Sequence, residues 1–144
     1  MMKAEQIKSL VRDVPDFPKK GIIFKDITPL LADPAAFVEM IRHFASHFRS
    51  AGVTKVLGIE ARGFLLAAPI AVELGAGLVP VRKKGKLPYK TVTATYALEY
   101  GVDTLEMHED AVKPGEKVLV VDDVLATGGT AGAVCSMVEK LGGK

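Results

Sequence analysis

The chain of 144 residues has no tryptophan, a single cysteine and no long hydrophobic run. The lone Cys135 excludes an internal disulfide and accords with a reducing compartment. The longest uncharged apolar run, Phe64 to Val72, falls far short of the roughly 20 residues that a bilayer span needs. The opening MMKAEQIKSL lacks an apolar h-region, so no secretory signal is expected. Charge of one sign is scarce as well: the net charge of +2 is too small to mark a nucleic-acid partner. Neither GxGxxG nor GxxxxGK[ST] occurs, which removes the dinucleotide fingerprint and the P-loop. No repeat, low-complexity tract or Ser-rich linker divides the chain. The expectation is one cytoplasmic, soluble domain over 1–144, with no membrane and no nucleic acid among its partners.

What is present is an ordinary globular composition, 49% hydrophobic and 25% charged, with clear punctuation. Residues 3–12 suit a short helix stopped near Pro15 and Pro18. Asp33-Pro34 is a good start for a longer helix, with Phe37, Met40, Ile41, Phe44 and Phe48 on one face and Gly52 at its end. KVLGIE (55–60), GLVPVR (77–82) and KVLVVD (117–122) read as buried strands. Helical stretches follow EARG and begin again at Thr130, running to Leu141. TVTATYAL (91–98) alternates as a half-exposed strand does, inside a Gly- and Lys-rich region, 83–105, that suits a mobile hairpin. The pattern predicts an α/β fold with a mainly parallel, twisted sheet flanked by helices.

The most informative stretch is VLVVDDVLATGGTAG (118–132), where an apolar strand ends in two adjacent acids. Ligands of open α/β sheets bind beyond the carboxyl ends of strands, and Asp122 and Asp123 sit at such an end. The turn Ala126-Thr127-Gly128-Gly129-Thr130 can point backbone N–H groups and two hydroxyls into one concavity before a helix N-terminus, which suits a phosphate. Carboxylates would repel that phosphate, so they suit ribose hydroxyls or a Mg²⁺ ion held directly or through water. A sugar phosphate satisfies both halves. The EARG turn, Glu60-Ala61-Arg62-Gly63, repeats the strand–turn–helix arrangement and adds a guanidinium able to grip phosphate in a fork. RKKGK (82–86) reads either as a solvated charge run or as a second anion contact. His43 and His47 have the spacing of a metal pair without an evident third ligand and read as surface residues. Cys135 and Met40, Met107 and Met137 read as packing residues.

VLVVDDVLATGGTA resembles the phosphoribosyl-pyrophosphate motif of the type I phosphoribosyltransferases, in the form found in the adenine phosphoribosyltransferase branch. DFPKKGIIFKDITPLL (16–31), GIEARGFLLAAPIA (58–71), and VPVRKKGKLPYKT through YALEYG resemble that branch's N-terminal segment, second loop and flexible loop, in the expected order. The resemblance implies the type I phosphoribosyltransferase fold, with an N-terminal base-binding segment (about 1–33), a core (34–144) and a flexible loop (about 83–105). It implies transfer of a 5-phosphoribosyl group from phosphoribosyl pyrophosphate to adenine, giving AMP and pyrophosphate, with Mg²⁺ as cofactor, by a homodimer. Asp122, Asp123 and the 126–130 turn would then hold ribose and 5-phosphate. Glu60, Ala61, Arg62, Arg82, Lys83 and Lys86 would meet pyrophosphate, with a cis peptide at Glu60–Ala61. Ile23, Phe24, Lys25 and Val124 would meet adenine. Glu99 would assist the purine proton, Tyr100 would help to close the site, and no metal ligand is assigned by direct side-chain ligation. Lys25 stands where the family commonly has Arg, and Val124 where it often has Leu. The family continues beyond the helix that follows the motif, so an uncovered sheet edge is expected near LGGK (141–144). A non-catalytic phosphoribosyl-pyrophosphate-binding regulator, or an inactive truncated form, is the alternative.

Overall fold

The structure, a computed structural model, describes residues 1–98 and 100–144. It divides into two compact units, Met1–Ser46 and His47–Lys144. The first unit holds α1 (Ala4–Lys8), a two-stranded antiparallel ribbon of β1 (Arg12–Pro15) and β2 (Ile23–Asp26), α2 (Thr28–Ala32) and most of α3 (Pro34–Phe48). The helix expected over 3–12 is therefore short, because Arg12 to Pro15 are drawn into the ladder, with Arg12 opposite Asp26. Arg12 Nη2 donates to Asp26 Oδ2 at 2.7 Å, and the hydroxyl and N–H of Thr28 donate to Asp26 Oδ1. The Thr28 bonds first, then Arg12, bring the Asp26 carboxyl down to about 2.

α3 begins as its sequence dictates: Asp33 Oδ1 accepts the N–H of Ala36 at 2.8 Å, satisfying a donor that the first turn cannot pair. Its buried stripe is Ala36, Met40, Ile41 and Ala45, while Phe44 stays 44% exposed. Met40 and Ile41 of the expected face are thus buried and Phe37 and Phe48 partly so, Phe44 is not, and Ala36 and Ala45 join the buried side.

The second unit is built on a five-stranded sheet in the order β5-β6-β4-β3-β7. β3 (Lys55–Ile59) pairs in parallel with β4 (Gly77–Lys83) and β7 (Val118–Val121). β5 (Thr91–Leu98) and β6 (Gly101–His108) form an antiparallel ribbon that joins β4 at Arg82 and Lys83. The 83–105 region is thus largely paired strand, and the parallel sheet carries an antiparallel extension. Alternation along β3 separates two helix-packing faces. Leu57 and Ile59 enter a core with Val79, Val81, Leu105, Met107 and the inner face of α5 (Gly129–Lys140), namely Ala133, Val134, Met137 and Val138. Gly58 points the other way, toward α4 (Arg62–Leu74), where a β-carbon would lie 2.7 Å from that of Ala67. Met40, Met107 and Met137 are buried as expected, but Cys135 is exposed, one position outside the packed stripe of α5.

β7 is a half-buried edge strand. Lys144 meets the start of the strand: it donates to Glu116 O at 2.9 Å and accepts from the N–H of Val118 at 2.8 Å. Gly143 sits against Val138 and Val112, close enough that any β-carbon would overlap them.

Candidate active site

The carboxyl ends of β3, β4 and β7 open into a cleft of about 500 Å³, lined by Glu60, Ala61, Arg62, Lys83, Tyr96, Asp122, Asp123, Val124, Ala126, Thr127, Gly129 and Thr130, among others. The two loops that the sequence singled out face each other across it. The Glu60–Ala61 peptide is cis, and Arg62 opens α4 immediately after it. On the other side Ala126 (φ 47°) and Gly128 (φ 85°) adopt left-handed backbone, which turns the chain into the first turn of α5 at Gly129. Gly63 is required where α4 approaches β7: a β-carbon there would meet Val121 O at 3.0 Å and Asp122 Oδ1 at 3.1 Å.

The charged groups are organised into three clusters. Arg62 Nε donates to Asp123 Oδ2, whose side chain is only 6% exposed, and Asp122 Oδ1 accepts the N–H of Asp123 at 2.9 Å. Burial pushes the Asp122 carboxyl up to about 6; the backbone N–H bond opposes this, and the adjacent Asp123 carboxylate reinforces it. Glu60 gathers the basic run: its Oε1 accepts from Arg82 Nε (3.1 Å) and from the N–H of Lys83 (3.2 Å), and its Oε2 from Lys86 Nζ (2.5 Å). Burial resists ionisation of Glu60, but the bonds from Lys86, Lys83 and Arg82 outweigh it and hold the carboxyl below its usual range. The third cluster escaped the sequence analysis. Lys83 Nζ donates to Asp103 Oδ2, which also accepts the Tyr96 hydroxyl at 3.2 Å, while Asp103 Oδ1 takes the N–H of Thr104 at 2.9 Å.

The structure therefore brings Glu60, Ala61, Arg62, Lys83, Asp122, Asp123, Val124, Ala126, Thr127, Gly129 and Thr130 to one cleft, whereas Arg82 and Lys86 turn to Glu60 and do not line it. Ile23, Phe24 and Lys25 belong to the first unit. There Ile23 is exposed, the Phe24 ring meets Phe17 edge-on at 5.2 Å, and Lys25 pairs with Asp13. Tyr100 is 85% exposed, and Glu99 lies outside the described residues. Tyr96 and Asp103 carried one available signal: Tyr96 lies on the strand whose alternation was legible, and Asp103 is its cross-strand partner.

Residues 26–144 match the sequence model of the phosphoribosyl transferase domain. An adenine phosphoribosyltransferase of Myxococcus xanthus is 62% identical over 138 residues, 96% of this chain and 75% of that protein. The chain belongs to the adenine phosphoribosyltransferase family. The crystal structure of the family's Rhodothermus marinus enzyme is similar at a TM-score of 0.92 and 54% identity, covering 97% of this chain and 80% of that one. The Saccharomyces cerevisiae adenine phosphoribosyltransferase, solved with adenine and an imino-altritol 1,6-bisphosphate, is similar at a TM-score of 0.93 and 40% identity, covering 98% and 82%. These are type I phosphoribosyltransferases, and the fold found here is theirs. Among the described residues no helix is long and apolar enough to cross a membrane.

Proposed function

We propose that the cleft transfers a 5-phosphoribosyl group from phosphoribosyl pyrophosphate to adenine, releasing AMP and pyrophosphate. The observation that carries this reading is the convergence of the acid pair, the 126–130 turn and the cis Glu60-Ala61-Arg62 turn on one cleft. The N–H groups opening α5 and the hydroxyls of Thr127 and Thr130 receive the 5-phosphate. Asp122 and Asp123 accept the ribose hydroxyls. A carboxylate has several lone-pair sites, so Asp123 can hold Arg62 and a hydroxyl together. Arg62, so oriented, and Lys83 stabilise charge on the departing diphosphate, with Glu60 positioning Arg82 and Lys86 nearby. As the bond from the anomeric carbon to pyrophosphate breaks, adenine N9 forms its bond to that carbon, and the purine proton passes to an acceptor, assigned to Glu99. Tyr100 belongs to the segment that excludes water from the positively charged sugar. Val124, which lines the cleft, is assigned to adenine recognition.

Mg²⁺ fits this donor set. Two adjacent carboxylates are too few for a protein cage, but a Mg²⁺ ion that arrives on a diphosphate needs only one or two. When bound, it would neutralise leaving-group charge. A cytoplasmic homodimer belongs to the same reading, and light scattering on the purified chain tests the dimer.

Incubation with adenine, phosphoribosyl pyrophosphate and Mg²⁺ yields AMP if the reading holds. Asp123→Asn lowers turnover by on the order of a hundredfold with an unchanged circular dichroism spectrum. No AMP from the folded wild-type chain supports a binding module instead, and wild-type turnover by the variant removes Asp123 from the site.

A further inference from the structure

The cleft holds a charge arrangement that neither the phosphate turn nor the acid pair requires. Lys83 is the last residue of β4 and, like Tyr96, is one of the residues that line the cleft. Its neighbours Arg82 and Lys86 are tied to Glu60, which takes only the backbone N–H of Lys83. The Lys83 ammonium is instead held by Asp103 of β6. Asp103 is in turn fixed on three sides: by Lys83, by the Tyr96 hydroxyl at 3.2 Å, and by the N–H of Thr104 at 2.9 Å. Tyr96 continues the line toward the phosphate turn, since its ring edge lies 3.8 Å from where a β-carbon on Gly129 would stand. The ion pair is half open to solvent on the lysine side and shielded on the aspartate side, with side-chain exposures of 48% and 23%. The lysine side of the pair is thus the side open to an incoming anion, while Asp103 keeps its bonds to Tyr96 and Thr104.

We propose that Asp103 is a latch on Lys83: pyrophosphate takes the ammonium by exchange with Asp103, and Asp103 reclaims it when pyrophosphate leaves. Asp103 is thus a positioning residue that weakens the grip on the leaving group and speeds its release, and Tyr96 braces it. This rests on the reading of the cleft as a pyrophosphate site. The physical reason is charge balance. A cation with a fixed counter-ion gives up part of its attraction for a second anion, and that part returns when the counter-ion is neutralised.

Titration calorimetry of inorganic pyrophosphate with Mg²⁺ into the whole chain tests it. Asp103→Asn binds pyrophosphate roughly three- to tenfold more tightly than wild type, the range expected of a partly exposed ion pair, and Tyr96→Phe shifts affinity the same way by less. Lys83→Met weakens binding, and adding Asp103→Asn to it changes nothing further. In steady state, Asp103→Asn shows stronger inhibition by pyrophosphate. Equal or weaker binding by folded Asp103→Asn, or the same tightening in the Lys83→Met background, overturns the latch. Absence of pyrophosphate binding by wild type overturns the reading of the cleft, and the latch with it.

Discussion

Asp122 shows how position alters the chemistry of a residue. It follows β7 directly, and burial beside Asp123 raises its carboxyl to about 6 from an ordinary 3.8. A folded value above the unfolded one means that ionisation costs the folded state more than the unfolded chain. The stability tied to this group is complete below about pH 4 and is lost as pH rises through about 6. Asp122→Asn, neutral at every pH, is accordingly expected to melt above wild type at pH 8, by a margin that shrinks toward pH 4.5. Scanning calorimetry at several pH values checks this, and a margin independent of pH would refute it. The same cost makes sense of a ligand site, because a hydroxyl donor arriving at Asp122 supplies what burial removes. The placement of Asp122, Asp123 and Arg62 in turns at strand ends was legible in the sequence, and all three line the cleft. Their pairing was not: Arg62 and Asp123 lie far apart in the chain, and only the adjacency of β3 and β7 makes them partners.

At the level of elements, local signals worked where the chain interacts with itself over a few residues. The cap at Asp33 and the alternation of β5 needed no distant partner. The extent of helix 3–12 and the burial of Phe44 were misjudged because the deciding interactions, the β1–β2 ladder and the burial of Ala36 and Ala45 beside Met40 and Ile41, are tertiary. The β3–α4 contact has the same character. Gly58 looks like a permissive residue in a strand, yet its function is to admit α4: an added methyl would stand 2.7 Å from the Ala67 β-carbon and 3.2 Å from Gly63 O. Gly58→Ala is expected to destabilise by about 1–3 kcal/mol through overpacking. Combining it with Ala67→Gly recovers part of that loss, less the cost of glycine within a helix. Denaturant melts of the two single variants and the pair measure this; a single variant as stable as wild type would show that α4 shifts freely.

At the scale of the whole second unit, the sheet edge is the feature most exposed to change. β7 is followed by the acid pair at one end, while residues 142–144 secure the other, with Lys144 bonded to Glu116 and Val118, Gly115 donating to Gly142 O at 2.8 Å and Gly143 to Val138 O at 3.0 Å. Removing 142–144 frees these groups and uncovers Val112 and Val138. The expected loss is about 1–2 kcal/mol, or roughly 3–8 °C in Tm. A melt of the shortened chain within 1 °C of wild type, a threshold well below that roughly 3–8 °C expectation, would contradict this role.

The sequence by itself determined the three parallel strands, the helices that follow them, the alternating strand 91–98 and the 126–130 turn, because each is written in contiguous residues whose local chemistry is distinctive; the family and, through it, the cis turn came from the resemblance that those residues carry. Tertiary structure alone decided the partners of the charges: Arg62 with Asp123, Glu60 with Arg82 and Lys86, and Lys83 with Asp103 and Tyr96. Ion pairing depends on distances of a few ångströms between residues about 20 to 60 positions apart, which strand order fixes and linear spacing does not.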